Sequence, residues 1–219
     1  MDKFELVIGN KNYSSWSLRP WLALKHAGAN FTETRIALYI TGFKKEVARH
    51  TDSGKVPVLK HGTLTVWESL AICEYLAELF PAAHLWPESA AERAEARSLS
   101  TEMHAGFTAI RGSMPFNCRV RDRRVTRTQE VDTEIKRVED IWNSCRARHQ
   151  TQGPWLFGRF TIVDAMFAPV ALRFVTYGVE LTGAAREYMT TVETHAPVQE
   201  WIAAAREERE VIESSEVGK

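Results

Sequence analysis

The stretch "GKVPVLKHGTLTVWESLAICEYLAELF" (residues 54–80) changes its period halfway along. Two short β-type runs joined around "KHG" give the signal of a hairpin. From Ser69 onward, apolar residues recur at helical spacing as far as Phe80, and Pro81 ends the pattern. A hairpin running straight into an amphipathic helix is half of a small α/β layer. The other half is predicted upstream. "FELVI" (4–8) reads as a short buried strand closed by Gly9 and Asn10. Residues 16–27 read as a helix with Leu18, Trp21, Leu22 and Leu24 on one side, "FTETRIAL" (31–38) as a second strand, and 42–50 as a short, weak helix. The order is β-α-β-α-β-β-α.

Beyond "PAAHLWPES" (81–89), strand periodicity disappears. Helices are predicted at 90–115, 128–149, 162–178, 183–194 and 197–209, followed by a polar, frayed end "EVIESSEVGK". Two domains result: an α/β domain over 1–81 and an all-α domain over 90–219, with the boundary between Pro81 and Ala90.

The 219 residues are 44% hydrophobic and 26% charged, an ordinary globular profile with enough chain for a proper core. Lys plus Arg equals Asp plus Glu at 28 each, so no global field favours nucleic acid or an anionic membrane. Cys73, Cys118 and Cys145 are far apart, odd in number and outside any CxxC spacing. That argues against a disulfide framework and for a reducing, cytoplasmic compartment. "MDKFELVIGN" lacks the pattern of a signal peptide, and no window approaches the apolar length of a membrane span. The seven histidines are scattered without HxxxH or HExxH spacing, so no metal site is expected.

Three motifs can carry chemistry, and each has a plain structural reading beside it. "NYSSWSLRPWLAL" (12–24) sets Ser14, Ser15 and Ser17 at a helix start, where hydroxyls cap the helix or help its free N–H groups hold an anion. Pro57 in "KVPVL" is a trans edge proline, or a cis one that turns the Val56 N–H and C=O toward an extended peptide. In "WES" (67–69), Ser69 caps the helix and Glu68 favours its dipole. Alternatively the pair binds an α-amino acid, Ser69 and the helix N–H groups taking the carboxylate and Glu68 the ammonium. A further pair, Thr161 and Asp164 in "FGRFTIVDAMFAPV" (157–170), has capping-box spacing and is read as structural.

In this order and spacing, the motifs resemble those of the cytosolic glutathione transferases. "SSWSLRPWLAL" (14–24) is most similar to the zeta-type motif SSCSxRVRIAL, and the resemblance covers nearly the whole chain. It implies an α/β thioredoxin-like N-terminal domain, an all-α helical C-terminal domain and a homodimer. The implied enzyme is of serine type and activates the thiol of glutathione for conjugation to small electrophiles. Two alternatives stand beside it: glutathione-dependent cis–trans isomerisation of an unsaturated diacid, and a transferase-fold binding protein without catalysis. Trp16 stands where zeta-type enzymes have Cys, adding bulk beside the thiol, and Pro20 replaces a Val, suiting an early helical turn.

By this resemblance Ser14 donates a hydrogen bond to the glutathione sulfur. Ser15 and Ser17 are its backups, read respectively as a cap and a solvent-facing residue, and Ser15 also counts among the glutathione-binding residues. Val56, next to Pro57, pairs its backbone with the cysteinyl portion, while Glu68 and Ser69 hold the γ-glutamyl end. Lys55 reaches the glycyl carboxylate or is simply solvated. The family's second-substrate site falls on Trp16, His104, Phe107, Arg111 and Met114, which at helical spacing also read as core. Arg111 and Arg173 are the candidates for binding a diacid carboxylate, and "RVRDRR" (119–124) is either a steering patch or solvated surface. A free thiol has a pKa of about 8.5, and lowering it by two units takes roughly 2.7 kcal/mol. A hydrogen bond to a charged acceptor supplies about 1.5–3 kcal/mol and a helix N-terminus about 0.3–1. One serine on a helix end is sufficient.

Overall fold

Alternation along the first strand decides what covers each face of the sheet. In the computed structural model, which describes residues 3–219, β1 (Phe4–Ile8) sends Leu6 and Ile8 to one side and Val7 to the other. The first side is covered by α1 (Ser15–His26) and, later, α3 (Ser69–Leu79), which bring Leu18, Leu22, Ile72 and Leu76 onto it. On the other side, Val7 and Val58 pack with Ile36 and Val47 beneath the short α2 (Phe43–Val47). The sheet is mixed, in the order β2-β1-β3-β4. β2 (Phe31–Arg35) runs parallel to β1, whereas β3 (Val58–His61) and β4 (Leu64–Trp67) add antiparallel.

Three boundaries differ from expectation, each for a local reason. The hairpin turn is Gly62–Thr63 rather than "KHG", because Lys60 and His61 stay paired and Gly62 supplies the positive φ of 59°. β2 stops at Arg35 because the Leu38 amide donates to the Asn10 side chain at 2.8 Å and not to a strand. Pro20 lies in the sixth position of α1, past the first turn, where it removes the donor that would serve the Trp16 carbonyl.

The C-terminal domain contains α4 (Ala90–Ala105), α5 (Thr108–Ser113), α6 (Gln129–His149), α7 (Ile162–Thr176), α8 (Gly183–Thr194) and α9 (Ala196–Arg206). The expected single helix over 90–115 is broken at Gly106–Phe107. Phe107 has φ 59°, and the Glu134 carboxylate of α6 accepts the Ala109 and Ile110 amides to start α5 afresh. Helix α7 is mostly apolar and every residue except Val175 is buried, so it forms the axis against which α1, α4 and α8 pack. Its start has the expected capping box: Asp164 accepts the Thr161 amide at 2.7 Å and also holds the Leu156 amide at 3.1 Å. Among the described residues, no helix is long and apolar enough to cross a membrane.

Candidate active site

Two helix beginnings and one loop converge on a cavity of about 300 Å³, lined by Trp16, Ser53, Lys55, Val56, Pro57, Glu68, Ser69 and His104. Trp16 comes from the first turn of α1 and Ser69 opens α3; Ser53 to Pro57 form the approach to β3, and His104 ends α4. The structure thus gathers seven residues that the sequence singled out, from four separate segments. The Val56–Pro57 bond is cis. Ser53 was missed: its hydroxyl accepts the Lys55 amide at 3.4 Å, and a lone serine in a polar loop carries no periodic signal.

Glu68 has φ 69° and ψ 127°, a conformation that costs a non-glycine residue about 1–3 kcal/mol and is typically retained at functional positions. Its side chain is half exposed and caps nothing; among the described residues its one ion-pair contact is the His104 ring, with Nε2 3.7 Å from the carboxylate. Burial, then the charge of Arg19, holds the His104 imidazole below its ordinary range despite the opposing pull of Glu68. At neutral pH the imidazole is uncharged, so Glu68 has no cationic partner. The Ser69 hydroxyl beside it is buried and has no hydrogen-bond partner among the described residues. A free carboxylate next to an unsatisfied hydroxyl on a helix start suits the ammonium and carboxylate of an amino acid.

Ser14, not Ser15, is the N-cap of α1. Its Oγ accepts the Ser17 amide at 3.4 Å and lies 2.7 Å from Ser17 Oγ. Ser17 is not solvent-facing, as expected above, but fully buried, because its Oγ accepts the Gly9 amide at 3.1 Å from the end of β1. Ser15 occupies the first helical position, where its Oγ accepts from Arg173 Nη2 at 3.4 Å. The neighbouring Tyr13 hydroxyl is bound to Glu216 at 2.8 Å, and burial together with that bond raises its pKa. Burial likewise pushes the Cys73 thiol up to about 12, so no reactive cysteine adjoins the serines.

Beneath Trp16 lies a cationic patch. The guanidinium carbons of Arg19 and Arg111 stand 4.2 and 4.7 Å from the Trp16 ring centre. Arg19 is 1% exposed, and its Nε and Nη1 have no partner. Arg111 donates to the Met103 and His104 carbonyls, and Arg173 to the Met114 carbonyl at 2.8 Å. No carboxylate among the described residues lies within ion-pair distance of any of the three. Burial, then the Arg111 charge, pushes Arg173 down to about 9, and burial, then the charges of Arg111 and Arg173, lowers Arg19 well below its ordinary range. Arg19 went unnoticed in the sequence, although its place three residues after Trp16 and four after Ser15 puts all three on one helix face.

The remaining candidates lie elsewhere. Phe107, re-aimed by the break before α5, is buried edge-on against Phe167 at 6.5 Å, and Met114 is 1% exposed in the core. Neither lines the cavity, and Ser14, Ser15 and Arg111 are not among its lining residues either. Most of "RVRDRR" is tied down and does not steer: Arg119 and Arg123 reach Glu216, and Arg121 pairs with Glu193 at 3.3 Å.

Comparison with known proteins identifies the family to which this fold belongs. The family model "Glutathione S-transferase, N-terminal domain" matches residues 13–79, and "Glutathione S-transferase, C-terminal domain" matches 125–204. The chain is 34% identical to a maleylacetoacetate isomerase of Rattus norvegicus over 173 residues, covering 77% of this chain and 76% of that protein. It is 32% identical to a probable maleylacetoacetate isomerase of Vibrio cholerae over 132 residues, 57% of this chain, and spans only 59% of that relative's length. Among solved structures, a glutathione transferase homolog from Burkholderia with bound glutathione superposes with a TM-score of 0.70. The match has 22% identity and covers 93% of this chain and 98% of the other.

Proposed function

The chain belongs to the glutathione S-transferase family, and from that premise we propose that it is a serine-type glutathione transferase. The observation that carries this reading is the cavity at the two helix starts, with the unsatisfied Ser69 hydroxyl and the unpaired Glu68 at its edge. Ser69 and the α3 N–H groups would take the γ-glutamyl carboxylate of glutathione, and Glu68 its ammonium. Val56 would present its backbone to the cysteinyl unit and Lys55 its charge to the glycyl carboxylate. The thiol would then point to the start of α1. There Ser14 Oγ lies 2.7 Å from Ser17 Oγ, which also accepts the Gly9 amide; with Ser17 as the donor of the pair, the Ser14 proton would be free for the sulfur. Domain 1–81 would hold glutathione and domain 90–219 most of the second substrate, in a cytoplasmic homodimer that binds neither nucleic acid nor membrane.

One observation favours a second reading of the same site. Three guanidiniums without a carboxylate partner suit an anionic second substrate, and two relatives are named as maleylacetoacetate isomerases. Glutathione-dependent isomerisation of a cis diacid is therefore the alternative to conjugation. Calorimetry with glutathione, followed by turnover with neutral electrophiles and with a cis-alkene diacid, tests both. Absence of glutathione binding overturns the proposal; binding without any turnover reduces it to a ligand-binding protein.

A further inference from the structure

The polar C-terminal tail, expected to fray, instead crosses behind the loop that carries Ser14. Its residues 207–219 include a 3-10 turn at Glu213–Ser215 and a backbone bond from Arg124 to Gly218 at 3.0 Å. Three consecutive residues of the serine loop are held from this side. Glu208 accepts the Lys11 amide at 2.6 Å and the Asn12 amide at 3.1 Å. Glu216 accepts the Tyr13 hydroxyl at 2.8 Å. The Asn12 side chain donates to Asn117 Oδ1 at 2.9 Å, and Asn117 Nδ2 donates to the same Glu216 oxygen at 2.8 Å. Arg123 closes the other carboxylate oxygen at 2.9 Å.

Glu216 is 9% exposed, and every polar group in this set has its partner. Burial alone would raise its carboxyl; the hydrogen bonds from Tyr13 and Asn117 and the charges of Arg123 and Arg119 outweigh that and hold it below the ordinary range. It is a permanent acceptor. Ser14 itself precedes the helix, its amide held by the Asn10 carbonyl at 2.8 Å, so the direction of its hydroxyl depends on how the loop is braced. A hydrogen bond to sulfur tolerates displacements of only about half an ångström before it loses its value.

We infer that Glu216 is a positioning residue for the thiol-activating serine, acting through Tyr13 and Asn117 on the 10–14 loop. The inference rests on the proposed role of Ser14. It assigns the tail a function that sequence composition hides, because the acid stands over 200 residues from the tyrosine it fixes.

The test is the pKa of glutathione bound to the full chain, read from thiolate ultraviolet absorbance against pH, together with glutathione affinity by calorimetry. Glu216→Gln and Tyr13→Phe should each raise that pKa by about half a unit to one unit, a threefold to tenfold loss of thiolate below the pKa. Affinity should stay within about twofold, since the peptide contacts lie elsewhere. The double variant should be no worse than the worse single one. Tyr13→Phe removes one oxygen and keeps the ring, so it carries the test where Glu216→Gln lowers the yield of folded protein. A parent-like thiol pKa in both variants overturns the inference, even if both melt earlier. If Ser14→Ala leaves the thiol pKa unchanged, the Ser14 reading fails and the positioning role falls with it. If Ser14→Ala shifts it and the tail variants do not, only the positioning role fails.

Discussion

The Ser14 and Ser17 hydroxyl oxygens stand 2.7 Å apart, and Ser17 Oγ also accepts the Gly9 amide at 3.1 Å. Either hydroxyl can donate to the other; with Ser17 as the donor the Ser14 proton is left for the sulfur, and the Gly9 bond polarises the pair. Ser14→Ala should raise the pKa of bound glutathione by about one to two units and cut turnover at mildly acidic pH roughly tenfold or more, with affinity nearly intact. Ser17→Ala should produce a smaller shift in the same direction, plus a stability loss of about 1–3 kcal/mol because the buried Gly9 amide loses its acceptor. Thiolate absorbance and thermal melting read the two effects separately. A normal titration in Ser14→Ala combined with a shifted one in Ser15→Ala would transfer the role to Ser15.

Ser69 offers a separation of stability from binding. Its hydroxyl is buried and unpaired, so deletion removes a desolvated group that contributes nothing to the ligand-free fold. Ser69→Ala should melt at the parental temperature or slightly above it. Glutathione affinity should fall by about 1–1.5 kcal/mol, roughly tenfold, as the carboxylate loses a donor. A lower melting temperature with unchanged affinity would make Ser69 a structural residue only.

The Glu68–His104 pair predicts the pH dependence of binding. The folded pKa of His104 is lowered below 6.5, so the imidazole is neutral at pH 7 and charges only as pH falls through that lowered value. The imidazolium then stands 3.7 Å from Glu68 and competes with the ligand's ammonium. On top of the rise with pH that thiol ionisation itself gives, glutathione affinity should show an extra decline as pH falls below 6.5, and His104→Gln should remove that extra decline. Stability follows the same sign: the unfolded chain holds this proton more tightly, so the cost is present in acid and gone above pH 6.5. An undiminished decline in His104→Gln rules out this pair as its source.

How far the sequence could be read depended on the range of the interactions involved. The α3 start at Ser69, the Pro57 strand entry and the Thr161–Asp164 box are local patterns, and the structure keeps all three, Pro57 in the cis form of the two that the sequence left open. The break before α5 was invisible because Glu134, its cause, comes 25 residues after Ala109. Phe107 and Met114 were consequently aimed at the cavity by a helix that does not continue. Arg19 carried no signal of its own in the sequence; only the packing of α1 against α3 and α7 buries it. Glu216 had no local signal at all, since its partners are Tyr13, Asn117 and Arg123.

Asp164 should matter for folding and not for chemistry. Its carboxylate satisfies two buried amides, Thr161 and Leu156, at the head of the most buried helix. Asp164→Ala leaves both without an acceptor, a loss of roughly 2–5 kcal/mol. Chemical denaturation should show an earlier midpoint, while the thiol pKa of bound glutathione in the remaining folded protein should match the parent. A shifted thiol pKa would instead connect the box to the site.

The arginine patch decides between conjugation and isomerisation. Arg19, Arg111 and Arg173 repel one another in a partly dry environment, a cost that a neutral electrophile would leave uncompensated. A substrate with two carboxylates would bring the missing charge. Arg111 is the one to replace, because it is half-buried against Trp16 and holds only carbonyls through Nη2, whereas Arg173 braces the Met114 backbone and Ser15. Arg111→Met should raise the KM for a cis diacid about tenfold to a hundredfold, matching the roughly 1.5–3 kcal/mol of a charge-assisted hydrogen bond. The same variant should turn over a neutral electrophile at nearly the parental rate. It should also melt no earlier than the parent, since relief of repulsion offsets the lost carbonyl bonds. Added salt should raise the parental KM for the diacid and leave that for the neutral substrate alone. Equal losses for both substrates would indicate a folding defect, and no loss for either would leave conjugation of neutral electrophiles as the chemistry of this site.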